Sequence, residues 1–230
     1  MKIVAFTGAG ISVESGVDSF RDKEGIWKKF NVEDYATPGG WRRDKELVLS
    51  FYNDMREKCK YTYPNNAHKY LAELENEGHD VTIITQNVDD LHERAGSTNV
   101  LHLHGELNKN QSSMNPKLVY DNCTDPIKIG DKCEKGSQLR PHVVWFGEMP
   151  NNVHESYEAL GDCDLLLIVG TSLEITYTIE MLGSIDEENT SVIYIDPNPS
   201  TLMDGIMPIE YIKEKATVGM KKVYEGIVGI

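Results

Sequence analysis

Three short stretches place polar side chains immediately after apolar runs. The first is Gly8-Ala9-Gly10-Ile11-Ser12, following KIVAF. Glycines at such a turn let the backbone approach a pyrophosphate, and the start of the next helix favours the anion. The G-x-G is only part of a dinucleotide fingerprint, because Val13 stands where a third glycine would be. A plain strand-to-helix turn reads the same way. The second stretch, Gln86-Asn87-Val88-Asp89-Asp90, sets an amide pair beside carboxylates. That set can bind a carboxamide or sugar hydroxyls, or Asp89 or Asp90 can simply cap the following helix. The third is His102-Leu103-His104. Histidines at i and i+2 on a strand point the same way and can share a metal, whereas one at a strand end can equally act as a general base.

A dehydrogenase of this layout would show an acidic residue ending its second strand, about twenty residues on from the glycines. Here that region reads Ser19-Phe20-Arg21-Asp22. Such a loop can close on a cofactor, with Arg21 on phosphate and Phe20 shielding the sugar. It suits chemistry at the ribose better than hydride transfer.

These stretches need strands to carry them. Short apolar runs at 2–6, 80–85, 99–103, 164–170 and 191–195 read as buried parallel strands. Helical patterns cover 45–59, 65–77, 152–160 and 213–226. In the first of these, Leu47, Val48, Phe51, Tyr52 and Met55 share a face; the second has Asn65 or Asn66 as its cap and Gly78 as its stop. The alternation predicts an α/β fold, a doubly wound parallel, Rossmann-like sheet. Two stretches, 18–43 and 108–140, are polar and loop-rich and break the alternation. They read as insertions that pack together as a small module. The expected division is 1–22, 62–107 and 141–230 for the dinucleotide-binding domain, with 23–61 and 108–140 for the module.

Composition narrows the partners. The 230 residues are 40% hydrophobic and 26% charged, ordinary for a globular chain. No apolar run is long enough to span a bilayer, and MKIVAFTGAG is a poor signal peptide, so a cytoplasmic protein is expected. A net charge of −14 repels nucleic acid and suits lysine-rich partners, although it also serves solubility alone. Cys59, Cys123, Cys133 and Cys163 form no C-x-x-C pair and read as reduced thiols.

Taken together, the motifs resemble the sirtuin family of NAD-dependent protein deacylases, in particular its class of bacterial deacylases and desuccinylases. GAGISVESGVDSFRDKEGIW resembles the family's first signature, TQNVDDLHERAG its second and LHLHGEL its third. RPHVVWFGE (140–148) is similar to the family's substrate-pairing strand, and GTSL (170–173) to its ribose-contacting turn. The resemblance implies NAD as cofactor, cleavage of its nicotinamide–ribose bond, and transfer of a lysine's acyl group to ADP-ribose. It implies His104 as base, with Gln86, Asn87 and Asp89 ordering the ribose and carboxamide. Ala9, Ile11, Phe20 and Val88 would line the nicotinamide pocket, and Gly8, Gly10, Ser12 and Arg21 the pyrophosphate side. Gly170, Thr171 and Ser172, with Asp196 and Asn198, would meet the adenosine ribose, and Lys215 and Ala216 the adenine. Val144, Trp145, Phe146, Gly147 and Glu148 would pair with an acylated peptide by strand addition. A monomer is implied, with no nucleic-acid or membrane partner.

The chain departs from the family pattern at several points. Asn110-Gln111-Ser112-Ser113 stands where the first of two zinc-binding cysteine pairs belongs. Cys123 and Cys133 are too few for a closed zinc site, so no metal is expected. Val17-Asp18 replaces a proline, and Asp196 replaces an asparagine. A carboxylate still accepts from ribose hydroxyls but disfavours a 2′-phosphate, hence NAD over NADP. The family's desuccinylases read an acidic acyl group with Tyr-x-x-Arg; here Tyr52 is kept, Met55 takes the arginine position, and Arg56 is turned about 100° around the helix. Deacetylation over desuccinylation follows. ADP-ribosyl transfer, and a weakly catalytic protein that binds NAD or acyl-lysine, remain the alternatives.

Overall fold

The computed structural model describes residues 1–19, 25–205 and 207–229, so Phe20 and Arg21 lie outside the described residues. The strands are β1 (Lys2–Thr7), β2 (Asp80–Thr85), β3 (Val100–His102), β4 (Gly105–Ser112), β5 (Val119–Tyr120), β6 (Leu139–Val143), β7 (Leu165–Val169), β8 (Ser191–Ile195) and β9 (Glu210–Ile212). The helices are α1 (Gly10–Val13), α2 (Ile26–Lys29), α3 (Val32–Tyr35), α4 (Pro38–Arg43), α5 (Lys45–Lys60), α6 (Asn66–Asn76), α7 (Leu91–Ala95), α8 (Val153–Leu160), α9 (Thr176–Leu182) and α10 (Ala216–Val228).

Six strands pair in parallel in the order β3-β2-β1-β7-β8-β9, the doubly wound sheet expected from the sequence. All five residues of β7 are buried, because helices cover both faces of the sheet. Alternate side chains feed opposite cores. Val4, Phe6, Ile84, Leu166, Ile168 and Tyr194 meet Leu160 of α8 and Met181 and Leu182 of α9. Ile3, Ala5, Ile83, Leu167 and Val169 meet Leu71 and Leu74 of α6 and Met220 and Val223 of α10. Helix starts follow local chemistry: Asn65 accepts from the Ala67 amide and Asp44 from the Leu47 amide, each at 2.9 Å.

A third core draws on both sequence insertions. Ile26, Ala36, Trp41, Val48, Leu49, Phe51 and Tyr52 pack against Leu107, Ile127, Val143 and Trp145, beside the three-stranded antiparallel sheet β5-β4-β6. One edge of the expected α5 face is misplaced. Leu47 is exposed, while Leu49 and Arg56 are buried, because the helix turns its Arg56 edge toward the loops around β4. Among the described residues no helix is long and apolar enough to cross a membrane.

Candidate active site

The strand order reverses between β1 and β7, so the turns after these two strands face each other across a crevice. They pack backbone on backbone. The Gly8 amide donates to Val169 O at 3.1 Å and the Gly10 amide to Gly170 O at 2.8 Å. A Cβ on Gly10 would lie 2.6 Å from Gly170 Cα, and one on Gly170, at φ +61°, would lie 2.3 Å from Ile11 N. These glycines are therefore required by the switch point itself, whatever binds above it.

The turn after β2 supplies the amides. Gln86 Nε2 donates to Thr171 Oγ1 at 2.9 Å, which joins this turn to the one after β7. Asn87 Nδ2 donates to Ser12 Oγ at 3.1 Å, and Ser12 Oγ donates to Asp89 Oδ2 at 3.0 Å. Ser12 has one proton; with that proton on the carboxylate, its lone pairs orient the Asn87 amide. Burial pushes the Asp89 carboxyl up to about 6, against the hydrogen bonds from Leu91 and Ser12. Behind them His68 and His92 are fully buried, their rings 4.8 Å apart. Desolvation lowers His68 to about 4 and His92 well below the usual range, so both are neutral.

The two histidines after β2's neighbour separate rather than cooperate. The strand ends at His102, so the alternation that would align the pair is lost. His102 is buried; its Nδ1 faces Asn87 O at 3.0 Å and its Nε2 faces Glu93 Oε1 at 2.7 Å. Burial opposes its charge, but the Glu93 hydrogen bond and the Glu93 and Glu106 carboxylates raise it above the usual imidazole value. His104 turns the other way, into the crevice. Its Nδ1 lies 2.9 Å from Gln86 O and its Nε2 2.7 Å from the Tyr177 hydroxyl. A carbonyl only accepts, so Nδ1 carries a proton, and in the neutral form of the ring Nε2 presents a lone pair.

The module supplies an aromatic wall. Trp145 Nε1 donates to the Tyr52 hydroxyl at 3.1 Å, and burial pushes that phenol well above its ordinary value. The Arg140 guanidinium lies 3.8 Å over the Trp145 ring and grips both Glu148 oxygens, at 2.8 and 3.0 Å. The expected strand at 140–148 is corrected here: β6 stops at Val143 and the chain turns at Gly147, φ +92°. Glu148 causes the turn by reaching back to Arg140 and to the Trp145 amide at 2.9 Å. The amides of Val144 and Phe146 are also used within the chain, on His104 O and Ala36 O.

One cavity of about 1030 Å³ runs from the crevice to this wall. Its crevice side is lined by Gly8, Ala9, Gly10, Gln86, Asn87, Val88 and His104, and by Gly170, Thr171, Ser172, Asp196, Asn198, Lys215 and Ala216. Its far side is lined by Tyr52, Met55, Val144, Trp145, Phe146, Gly147 and Glu148. Three expected site residues stand behind the wall instead. Ile11 is wholly buried in the core under α6, and Ser12 and Asp89 lie behind Asn87, joined to it by the bonds through Ser12 Oγ. Tyr177, Glu174 and Trp27 also line the cavity, beyond the site residues expected from the sequence. Trp27 lay within the first signature, but nothing in the sequence marks a tyrosine at the start of α9 as a neighbour of His104.

The donor set suits a dinucleotide. Carboxylate and amide side chains follow β8 for sugar hydroxyls, Lys215 offers a cation, and the volume is at the upper end for ligand pockets, enough for two ligands to meet. A metal fits less well. Among the described residues, the set of three ligand-type groups within 4.8 Å of one another is Glu93, His102 and Glu106, and Lys109 Nζ already sits 2.8 Å from Glu106. Cys123 donates to backbone carbonyls, and Cys133 sits 3.1 Å from Ser137 Oγ; neither belongs to that set.

Residues 8–177 match the model of the Sir2 family. An NAD-dependent protein deacylase of Aggregatibacter actinomycetemcomitans is 44% identical over 206 residues, covering 90% of this chain and 96% of that protein. Another, from Helicobacter pylori strain 26695, is 46% identical over 195 residues, covering 85% and 84%. A solved Sir2 homologue–NAD complex superposes with a TM-score of 0.87 at 35% identity, covering 99% of this chain and 89% of that one. A Sir2 homologue mutant with ADP-ribose gives 0.89 at 35% identity, covering 99% and 92%. On this likeness, which extends over most of its length, the chain belongs to the Sir2 family.

Proposed function

We propose that this chain is an NAD-dependent protein lysine deacylase that moves a lysine's acyl group to ADP-ribose and releases nicotinamide. The observation that carries the reading is the position of His104, at the junction of the polar crevice and the aromatic wall, within one cavity. NAD, when bound, supplies the electrophilic sugar and the nicotinamide leaving group. His104 Nε2 accepts a ribose hydroxyl proton, and the Gln86 carbonyl holds the ring in the tautomer that can do so. Asn87, oriented by Ser12 and Asp89, holds the carboxamide and ribose side together with Gln86. Ala9 and Val88 border the nicotinamide. Thr171, Ser172, Asp196 and Asn198 take the adenosine ribose, and Lys215 and Ala216 the adenine end.

The acyl-lysine enters past Phe146 and Gly147 toward Tyr52, Met55 and Trp145. The turn at 144–148 spends four of its five amides internally, so backbone pairing there relies on its carbonyls and the Gly147 amide. The same reading makes one chain the working unit, acting on a lysine-bearing protein segment.

The wall favours a neutral acyl group. Met55 lines it, Arg140 is bound to Glu148, and Arg56 points into the module, with bonds to Asp125 O, Lys109 O and Asn110 Oδ1. Matched acetyl-, butyryl- and succinyl-lysine peptides with NAD, followed by mass spectrometry, test this. Acetyl removal at least about tenfold faster than succinyl is expected, roughly the cost of one unpaired charge in the pocket, and Met55→Arg should narrow the gap. Faster succinyl removal by the parent protein would overturn the preference.

A further inference from the structure

The hydrogen bond between Tyr177 and His104 has no role in the reaction described above. Tyr177 is the second residue of α9, and its ring is half-buried against the core under α8 and α9. The two rings are nearly perpendicular, 86° apart with centroids at 6.2 Å, so the hydroxyl makes the contact and the ring faces do not stack. The bond is 2.7 Å, and it falls on Nε2. With Nδ1 committed to the Gln86 carbonyl, the phenol is the donor and Nε2 the acceptor in the neutral ring that a base must be. Burial raises the phenol far above its ordinary value, so it stays protonated and able to donate.

Nε2 is also the atom that must receive a ribose hydroxyl if His104 is the base. A lone pair directed at one donor cannot serve a second donor equally well. We propose that Tyr177 is a positioning residue whose hydroxyl holds the place of the ribose hydroxyl on His104, and that the cofactor must displace it to reach the base. This rests on the reading of His104 as the base of an NAD-dependent reaction. In the cofactor-free protein the phenol keeps the imidazole ring aimed into the cavity. On binding, the bond to Tyr177 is exchanged for one to the sugar, and the exchange weakens cofactor affinity. The phenol sits on the first turn of α9, which the Thr178 hydroxyl and amide close on Ile175 O at 2.6 and 3.0 Å, so the displacement is one of the Tyr177 side chain and not of the helix. No proton passes through Tyr177; the one that leaves the ribose goes directly to Nε2.

Tyr177→Phe keeps the ring and its packing and removes the competing donor. Calorimetric titration with ADP-ribose should show binding about threefold to tenfold tighter than the parent, the size of one net hydrogen bond, and the KM for NAD should fall by the same factor. Tyr177→Leu shares only the missing hydroxyl, so its ADP-ribose affinity must move in the same direction; it decides the matter if the phenylalanine variant folds poorly. Unchanged affinity in both variants would overturn the proposal. So would a tenfold or greater loss of kcat with KM unchanged, because the phenol would then serve the base during turnover. If the parent protein itself neither bound ADP-ribose nor consumed NAD, the functional reading would fail, an outcome distinct from either of these.

Discussion

Replacing Arg56 with methionine removes the guanidinium that ties α5 to the loops of the small sheet while keeping most of the side chain's apolar bulk. Arg56 is 4% exposed. It donates to Asp125 O at 3.0 Å, Lys109 O at 2.8 Å and Asn110 Oδ1 at 2.6 Å. Hydrogen bonds from a charged donor are worth roughly 2 kcal/mol each, so their loss costs about 6 kcal/mol and strands three acceptors. Part of this is recovered, because desolvation pulls the guanidinium from 12.5 down to about 10, a penalty of about 3 kcal/mol that disappears with the charge. The net expectation is about 3 kcal/mol, or a fall in Tm of roughly 6–12 °C for a chain of this length. The loss should be local. Hydrogen exchange should speed up across residues 105–145 and leave the parallel sheet unchanged. The KM for acyl peptide should rise more than the KM for NAD, since Tyr52 and Trp145 belong to the same core. A variant within about 1 kcal/mol of the parent, with unchanged exchange at 105–145, would show that Arg56 does not hold the module together.

Two further perturbations test the crevice. Asp89 titrates at about 6. Above that pH its carboxylate accepts from Ser12 and keeps Asn87 oriented, so ADP-ribose affinity should weaken as pH falls through about 6, and Asp89→Asn should flatten the profile; pH-independent binding by the parent between pH 5 and 7 would contradict this. Stability runs the opposite way: the folded value lies above the unfolded 3.8, so the fold should lose up to about 3 kcal/mol as pH rises from about 4 to about 6, read from denaturant midpoints. Gly170→Ala puts a Cβ 2.3 Å from Ile11 N and 2.5 Å from Gly10 C at a positive φ, with backbone on both sides. A loss of more than about 4 kcal/mol is expected, and a parent-like denaturation midpoint would refute the backbone-packing argument.

The sheet was legible because a strand buried on both faces must be apolar throughout. KIVAF, DVTIIT and DLLLIVG therefore stand out, and each ends at the crevice. The site was legible for the same reason, since the polar residues that follow these runs all meet at one edge. The small sheet was not. Strand β4, GELNKNQS, is largely polar, and its partners β5 and β6 are fixed by backbone pairing to residues far along the chain. The short edge strand β9, Glu210–Ile212, gave no periodic signal either. Which residues line the cavity was less legible than which lie near it. Ile11, Ser12 and Asp89 differ from Ala9, Gly10 and Asn87 only in direction, and direction depends on helix α1 and on the Ser12–Asp89 bond. The neighbours of Arg56 and His104 follow from tertiary packing, which the spacing of residues does not encode.

The central claim is that NAD cleavage and lysine deacylation are one event at His104. The most direct test counts products in a single reaction of the protein with NAD and an acetyl-lysine peptide, with His104→Ala in parallel. One nicotinamide and one acetyl-ADP-ribose are expected for each lysine freed, with no nicotinamide in the absence of the acyl group and loss of acetyl-ADP-ribose in the variant. Nicotinamide released without an acylated peptide, with ADP-ribose attached to protein, would contradict it and point to ADP-ribosyl transfer.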